Sequence, residues 1–149
     1  LMITKNGTKV IEYNCRFGDP ETQVVLPLLQ SDLLTIFEAV RNERLSEVEV
    51  KFSKDSAACI VMASGGYPQK YQTGYEIEAH DEKGQPPDVT VSRAGTKAEN
   101  GKFLTSGGRV LGVTAIGKDR EDALKKSYEA VSKIHFKDAH YRKDIGKIK

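Results

Sequence analysis

The spacing of apolar and polar positions changes period several times along this 149-residue chain. Leu1–Thr4 and Lys9–Phe17 are extended runs either side of Lys5-Asn6-Gly7-Thr8. Asn6-Gly7 is the pair that supplies two positive-φ residues to a type I′ turn, so a β-hairpin is predicted there. Gly18-Asp19-Pro20-Glu21 follows: Gly18 permits a bend, Asp19 can cap, Pro20 suits the first helical position and Glu21 favours the positive end of a helix dipole. A helix is predicted to begin there and to kink or end at Pro27. Ser31-Asp32 offers a second cap, before an apolar stripe of Leu33, Ile36, Phe37 and Val40.

Beyond residue 46 the pattern shortens. Lys51–Ser64, Tyr75–His80, Asp88–Arg93 and Arg109–Gly117 are rich in β-branched residues and separated by Gly and Pro, as antiparallel strands are. One helix is then predicted, capped by Asp119, with Ala123, Leu124, Tyr128 and Val131 on one face. A short extended His135-Phe136 and a charged tail close the chain. The fold class read from this order is α+β, with a hairpin and helices in 1–46 and a small antiparallel β-rich domain carrying one main helix in 47–149.

Composition narrows the function classes. Hydrophobic residues are 38% and charged residues 30%, an ordinary globular balance. Lys and Arg number 23 against 21 Asp and Glu, and no basic block is interleaved with aromatics, so a nucleic-acid surface is not expected. Cys15 and Cys59 lie far apart and outside any CxxC spacing, which points away from a disulfide framework or zinc site and toward the cytoplasm. Apolar runs such as Ala57–Ala63 fall well short of the about 20 residues that span a bilayer, and no signal peptide is visible. Leu1-Met2-Ile3-Thr4 reads as a strand already under way, so the chain is expected to be part of a longer protein. His80, His135 and His140 share no metal spacing. Gly65-Gly66 and Gly107-Gly108 lead into neither a P-loop nor a dinucleotide fingerprint and are read as turns. Arg109 is read either as a contact to a substrate phosphate or as a solvated strand end.

The segment richest in chemistry is Ile11-Glu12-Tyr13-Asn14-Cys15-Arg16-Phe17. On a strand, Glu12, Asn14 and Arg16 share one face and Ile11, Tyr13, Cys15 and Phe17 the other, so one side can bind while the other packs. Glu12 and Asn14, about 7 Å apart along the strand, carry the hard oxygen donors that suit Mg²⁺ beside nucleotide phosphates. Arg16 can hold a phosphate oxygen or neutralise charge during transfer. Any half-exposed strand alternates in this way, and spacing alone does not separate the two explanations.

The longer string Glu12-Tyr13-Asn14-Cys15-Arg16-Phe17-Gly18-Asp19-Pro20-Glu21-Thr22-Gln23 resembles the end of the ATP-grasp domain of the glycinamide ribonucleotide synthetases, or phosphoribosylamine–glycine ligases. Gly66-Tyr67-Pro68, Ala94-Gly95-Thr96, Thr105 to Leu111, Val113-Thr114-Ala115, Gly117 and Tyr141 to Gly146 follow in the order that family shows. Three positions depart from it: Ser92-Arg93 where Phe-His is usual, Gln69 where Gly is usual, and Asp138 in place of a Gly near the tail.

The resemblance implies a C-terminal portion of a purine-biosynthetic ligase, with 1–46 the end of an ATP-grasp domain and 47–149 its C-terminal domain. It implies ATP as co-substrate, glycine and 5-phosphoribosylamine as substrates, and a missing N-terminal part of the same chain as partner. Glu12 and Asn14 are implied as ligands of Mg²⁺ or Mn²⁺, Arg16 as catalytic and substrate-binding, and Gly18 and Asp19 as substrate-binding. The fragment alone is expected to be inactive. The competing expectations are a non-catalytic binding or assembly module and a fragment of another ATP-grasp ligase or carboxylase.

Overall fold

A computed structural model describes residues 1–79 and 87–147; His80 lies outside them. The hairpin forms from β1 (Met2–Thr4) and β2 (Gly7–Lys9), paired Met2 with Lys9 and Thr4 with Gly7. Its turn is centred on Lys5-Asn6, one residue earlier than expected, and only Gly7 takes a positive φ, of 87°. The Thr4 hydroxyl accounts for the shift: it donates to the Gly7 carbonyl (2.7 Å) and accepts from the Asn6 amide (3.2 Å), closing the loop early.

The second run is not a strand beyond Lys9. Residues 10–17 join no sheet among the described residues. A strand holds its shape through a hydrogen-bonded neighbour, and here none lies alongside.

The next elements are short. The expected first helix is a single turn, α1 (Thr22–Val25), running into a 3₁₀ turn at Leu26–Leu28 that contains Pro27. Glu21 occupies the cap position and makes no side-chain cap bond, and Asp19 does not cap at all, because its carboxylate turns to Arg109 instead. The second helix, α2 (Leu33–Arg41), begins as expected, with Asp32 accepting from the Thr35 amide at 2.7 Å. Its expected apolar stripe is divided: Leu33 and Ile36 are half-buried while Phe37 and Val40 are exposed, and the buried residue of the helix is Ala39. Residues 49–53 run back along 28–31 through Gln30 N to Lys51 O (2.9 Å) and Ser53 N to Leu28 O (2.7 Å).

The core belongs to the C-terminal part. β3 (Ser56–Ala63), β5 (Val89–Arg93) and β8 (Arg109–Gly117) form an antiparallel sheet with β8 in the centre. Two small pairs flank it: β6 (Thr96–Glu99) with β7 (Lys102–Thr105), and β4 (Glu78–Ala79) with β9 (Ile134–His135). The helix α3 (Arg120–Val131) is capped by Asp119, which accepts from the Asp122 amide at 2.9 Å.

The two faces of the sheet differ in character. Ile60, Met62, Val113 and Ala115 pack with Val131, Ile134 and Phe136 into the hydrophobic core on the α3 side. Gly117 meets the α3 backbone at Asp122-Ala123, a closeness that admits no side chain. The opposite face is small and polar, with Cys59, Thr90, Ser92, Gly112 and Thr114 in register, and α1 lies over it through Gln23. Burial on both faces explains why β8 reads as a near-continuous hydrophobic run rather than an alternating one.

Candidate functional site

Residues 10–21 leave the hairpin and curve toward the start of β8. Along this stretch Glu12, Asn14, Arg16, Gly18, Asp19 and Glu21 line one open cavity of about 420 Å³. All five residues singled out from sequence are therefore brought together, and Glu21, read there only as a helix-end charge, joins them. Asn14 Nδ2 donates to Glu12 Oε1 at 3.2 Å, so the carboxylate and the amide meet on one side of the chain as period-2 spacing requires. Arg16 Nη1 donates to the Phe17 carbonyl at 3.1 Å. The other side of this stretch does not pack as expected: Tyr13 is 83% exposed, and Ile11, Cys15 and Phe17 are exposed with it.

The C-terminal sheet contributes one further side chain. Arg109 Nη2 lies 2.9 Å from Asp19 Oδ2, and Arg109 Nη1 donates to the Asp19 carbonyl at 3.2 Å. Ninety residues separate the two, and nothing local in the sequence pairs them. Beside this contact burial pushes the Cys59 thiol up, opposed by the neighbouring Thr114 hydroxyl and reinforced by the Asp19 charge. A thiol held protonated in this way is a packing group rather than a nucleophile.

The donor set suits a divalent cation of the Mg²⁺ type. A carboxylate and an amide carry hard oxygens, and such an ion takes the rest of its shell from water and phosphate rather than from a protein cage. No group of three or more His, Cys, Asp or Glu side chains is placed to hold a metal among the described residues. Nor is any described helix long and apolar enough to cross a membrane.

The profile of the phosphoribosylglycinamide synthetase C domain matches residues 57–148, and that of the ATP-grasp (A) domain of the same synthetase matches residues 1–22. The chain belongs to the phosphoribosylglycinamide synthetase family. A phosphoribosylamine–glycine ligase of Clostridium acetobutylicum is 48% identical over 149 residues, covering 100% of this chain and 35% of that protein. The trifunctional purine biosynthetic protein adenosine-3 of Gallus gallus is 51% identical over 147 residues, covering 98% of this chain and 15% of its own length. The crystal structure of a Thermotoga maritima phosphoribosylamine–glycine ligase superposes with a TM-score of 0.73 at 32% identity, over 96% of this chain and 34% of that one. The synthetase-family chain thus spans about a third or less of the relatives it matches. Within it, Glu12, Asn14, Arg16, Gly18 and Asp19 fall in the stretch matched to the ATP-grasp domain, whereas Arg109 falls in the C domain.

Proposed function

We propose that this chain supplies part of the active site and the C-terminal lobe of a phosphoribosylamine–glycine ligase, the cytoplasmic enzyme that joins glycine to 5-phosphoribosylamine with conversion of ATP to ADP and phosphate. The observation that carries this is the shared cavity of Glu12, Asn14 and Arg16 inside a chain matched along its length to that family. Residues 1–46 are assigned to the end of the ATP-grasp domain and 47–149 to the C-terminal domain. In the relatives about two thirds of the length lies outside the matched stretch, and the nucleotide's base and ribose are assigned to that part.

Glu12 and Asn14 are the residues that would hold Mg²⁺ or Mn²⁺. When bound, such an ion neutralises charge on the nucleotide phosphates. The glycine carboxylate attacks the γ-phosphorus and ADP departs, leaving glycyl phosphate. The ribosylamine nitrogen then attacks its carbonyl, phosphate departs, and the amide forms. Arg16 presents its guanidinium to the negative charge that gathers on the transferred group. Gly18 lets substrate approach the backbone, and Asp19 lies beside it as an acceptor for a substrate donor.

In the full-length ligase, Glu12→Ala and Asn14→Ala should each raise the Mg²⁺ concentration for half-maximal rate, by about tenfold or more, with the folded state unchanged. Steady-state rates across a Mg²⁺ titration measure this, and an unchanged midpoint removes the ligand assignment. The 149-residue chain by itself, given Mg-ATP, glycine and phosphoribosylamine, should show no turnover.

A further inference from the structure

We propose that Arg109 is a positioning residue for this site: by gripping Asp19 twice, it fixes the Arg16–Asp19 segment to the C-terminal sheet. The assignment rests on the ligase reading above for its effect on rate, but not for its effect on structure.

Residues 10–17 have little to hold them. They belong to no sheet among the described residues, and their side-chain hydrogen bonds at the site are local, Asn14 to Glu12 and Arg16 to Phe17. At Asp19 this changes. One guanidinium nitrogen contacts the carboxylate and the other the main-chain carbonyl of the same residue. Together the two contacts set both the side-chain rotamer and the peptide plane of Asp19. Only a planar fork of N–H donors does this, since an ammonium is a single point of charge.

Arg109 itself has a firm base. It pairs with Ala63 at the β3–β8 bulge, and its carbonyl accepts from the Gly95 amide at 2.8 Å. The two residues before it are held by Ser64, whose hydroxyl donates to the Gly107 carbonyl and whose amide donates to the Gly108 carbonyl, each at 2.8 Å. Gly107 lies against Gly95, and Gly108 under the Tyr67 ring, so neither position admits a side chain. The Thr105–Leu111 motif thereby acquires a purpose: its glycines seat a strand start from which a single arginine reaches the site.

Stability does not explain the contact. The Arg109 and Asp19 side chains are 40% and 58% exposed, and ion pairs that open to solvent contribute little to folding. What the pair can supply is placement of Arg16 and Gly18, and misplacement at a reacting centre costs rate far more than stability.

Arg109→Met and Arg109→Lys in the full-length ligase test this, together with backbone order parameters of the 149-residue chain. Arg109→Met should lower kcat by about tenfold or more with little change in melting temperature, and Arg109→Lys, which keeps only the charge, should recover part of that loss. Once Asp19 is already Ala, which leaves Arg109 only its main-chain contact, adding Arg109→Met should lower kcat by clearly less than it does in the parent. Multiplicative losses in that double variant would mean that Arg109 touches substrate itself and would overturn the proposal. In the chain, order parameters of residues 16–19 should fall below about 0.6 in Arg109→Met while those of β8 and α3 hold; unchanged values would also overturn it. If the unsubstituted ligase makes no glycinamide ribonucleotide, the functional reading fails, and the order parameters still decide the positioning.

Discussion

The hairpin with its trailing segment, residues 1–17, and the sheet–helix layer of residues 56–136 are built to opposite rules. In the first, Leu1, Ile3, Ile11 and Tyr13 stand in solvent, Ile3 at 89% exposure. In the second, Ile60, Val110, Val113 and Ala115 are wholly enclosed. The candidate chemistry lies on the first and on Gly18 and Asp19 just after it, the stability lies on the second, and the Arg109 contact to Asp19 ties them together. A region that carries candidate ligands on one side and no core of its own must borrow its geometry from a neighbour.

The largest effect should therefore come from the enclosed layer. Ile60→Ala removes a fully buried side chain from the core and should cost about 2–5 kcal/mol, measured by urea unfolding of the chain. Ile3→Ala at the exposed hairpin should change stability by less than about 0.5 kcal/mol. Equal losses at the two positions would show that the hairpin is packed in solution and would erase the contrast.

A smaller effect should appear where α3 is stitched to the sheet by a polar group. The Ser127 hydroxyl is completely buried and shares its one proton between the Ala58 carbonyl (2.8 Å) and the Ala123 carbonyl (2.9 Å). Ser127→Ala keeps the volume nearly unchanged but removes the strand-to-helix bond, a loss of about 1 kcal/mol by the same unfolding measurement. A neutral substitution would show that the Ser127 hydroxyl adds nothing to the α3 attachment.

The same division shows in what the sequence made legible. β8, α2 and α3 were readable because their periods and the caps Asp32 and Asp119 are local signals. The grouping of Glu12, Asn14 and Arg16 was readable because alternate residues of an extended chain share a side whether or not a ladder forms. Turn chemistry is overridden in one place and lacks flanking signals in another. Asn6-Gly7 does not form the two-residue turn it suggests, because Thr4 closes the loop first. Asn100-Gly101 does form one, with φ of 51° and 76° between Glu99 and Lys102, yet the β6–β7 hairpin went unnoticed because its flanks, Lys97-Ala98-Glu99 and Lys102-Phe103, lack apolar alternation. Ser127 gave no sign of burial, since its partner carbonyl comes from β3. The link from Arg109 to Asp19 was illegible for the same reason, being a product of tertiary structure.

The smallest effect concerns charge at the start of α3, and its sign can be worked out. Lys126 Nζ lies 3.1 Å from Asp122 Oδ2 and 3.2 Å from Asp88 Oδ2. The Lys126 hydrogen bond, followed by that from the Lys118 amide, holds the Asp122 carboxyl below the usual carboxylate range. Asp122, and after it Asp88, holds the Lys126 ammonium above its usual range. A depressed carboxyl stabilises the fold above its unfolded pKa and loses that contribution as pH falls through the folded value; a raised ammonium stabilises below its unfolded pKa and loses it as pH rises through the folded value. Between these limits the cluster contributes fully. Asp122→Asn should accordingly lower the melting temperature by a small, constant amount from pH 6 to 9, and the difference from the parent should shrink as pH falls below the ordinary carboxylate range. In the N-terminal part, Asp32 is held below its ordinary value by Thr35, and Asp32→Asn should show the same acid-side convergence without the alkaline limit that Lys126 sets. A pH-independent difference for Asp122→Asn would locate its role in helix capping geometry alone and set it apart from Asp32.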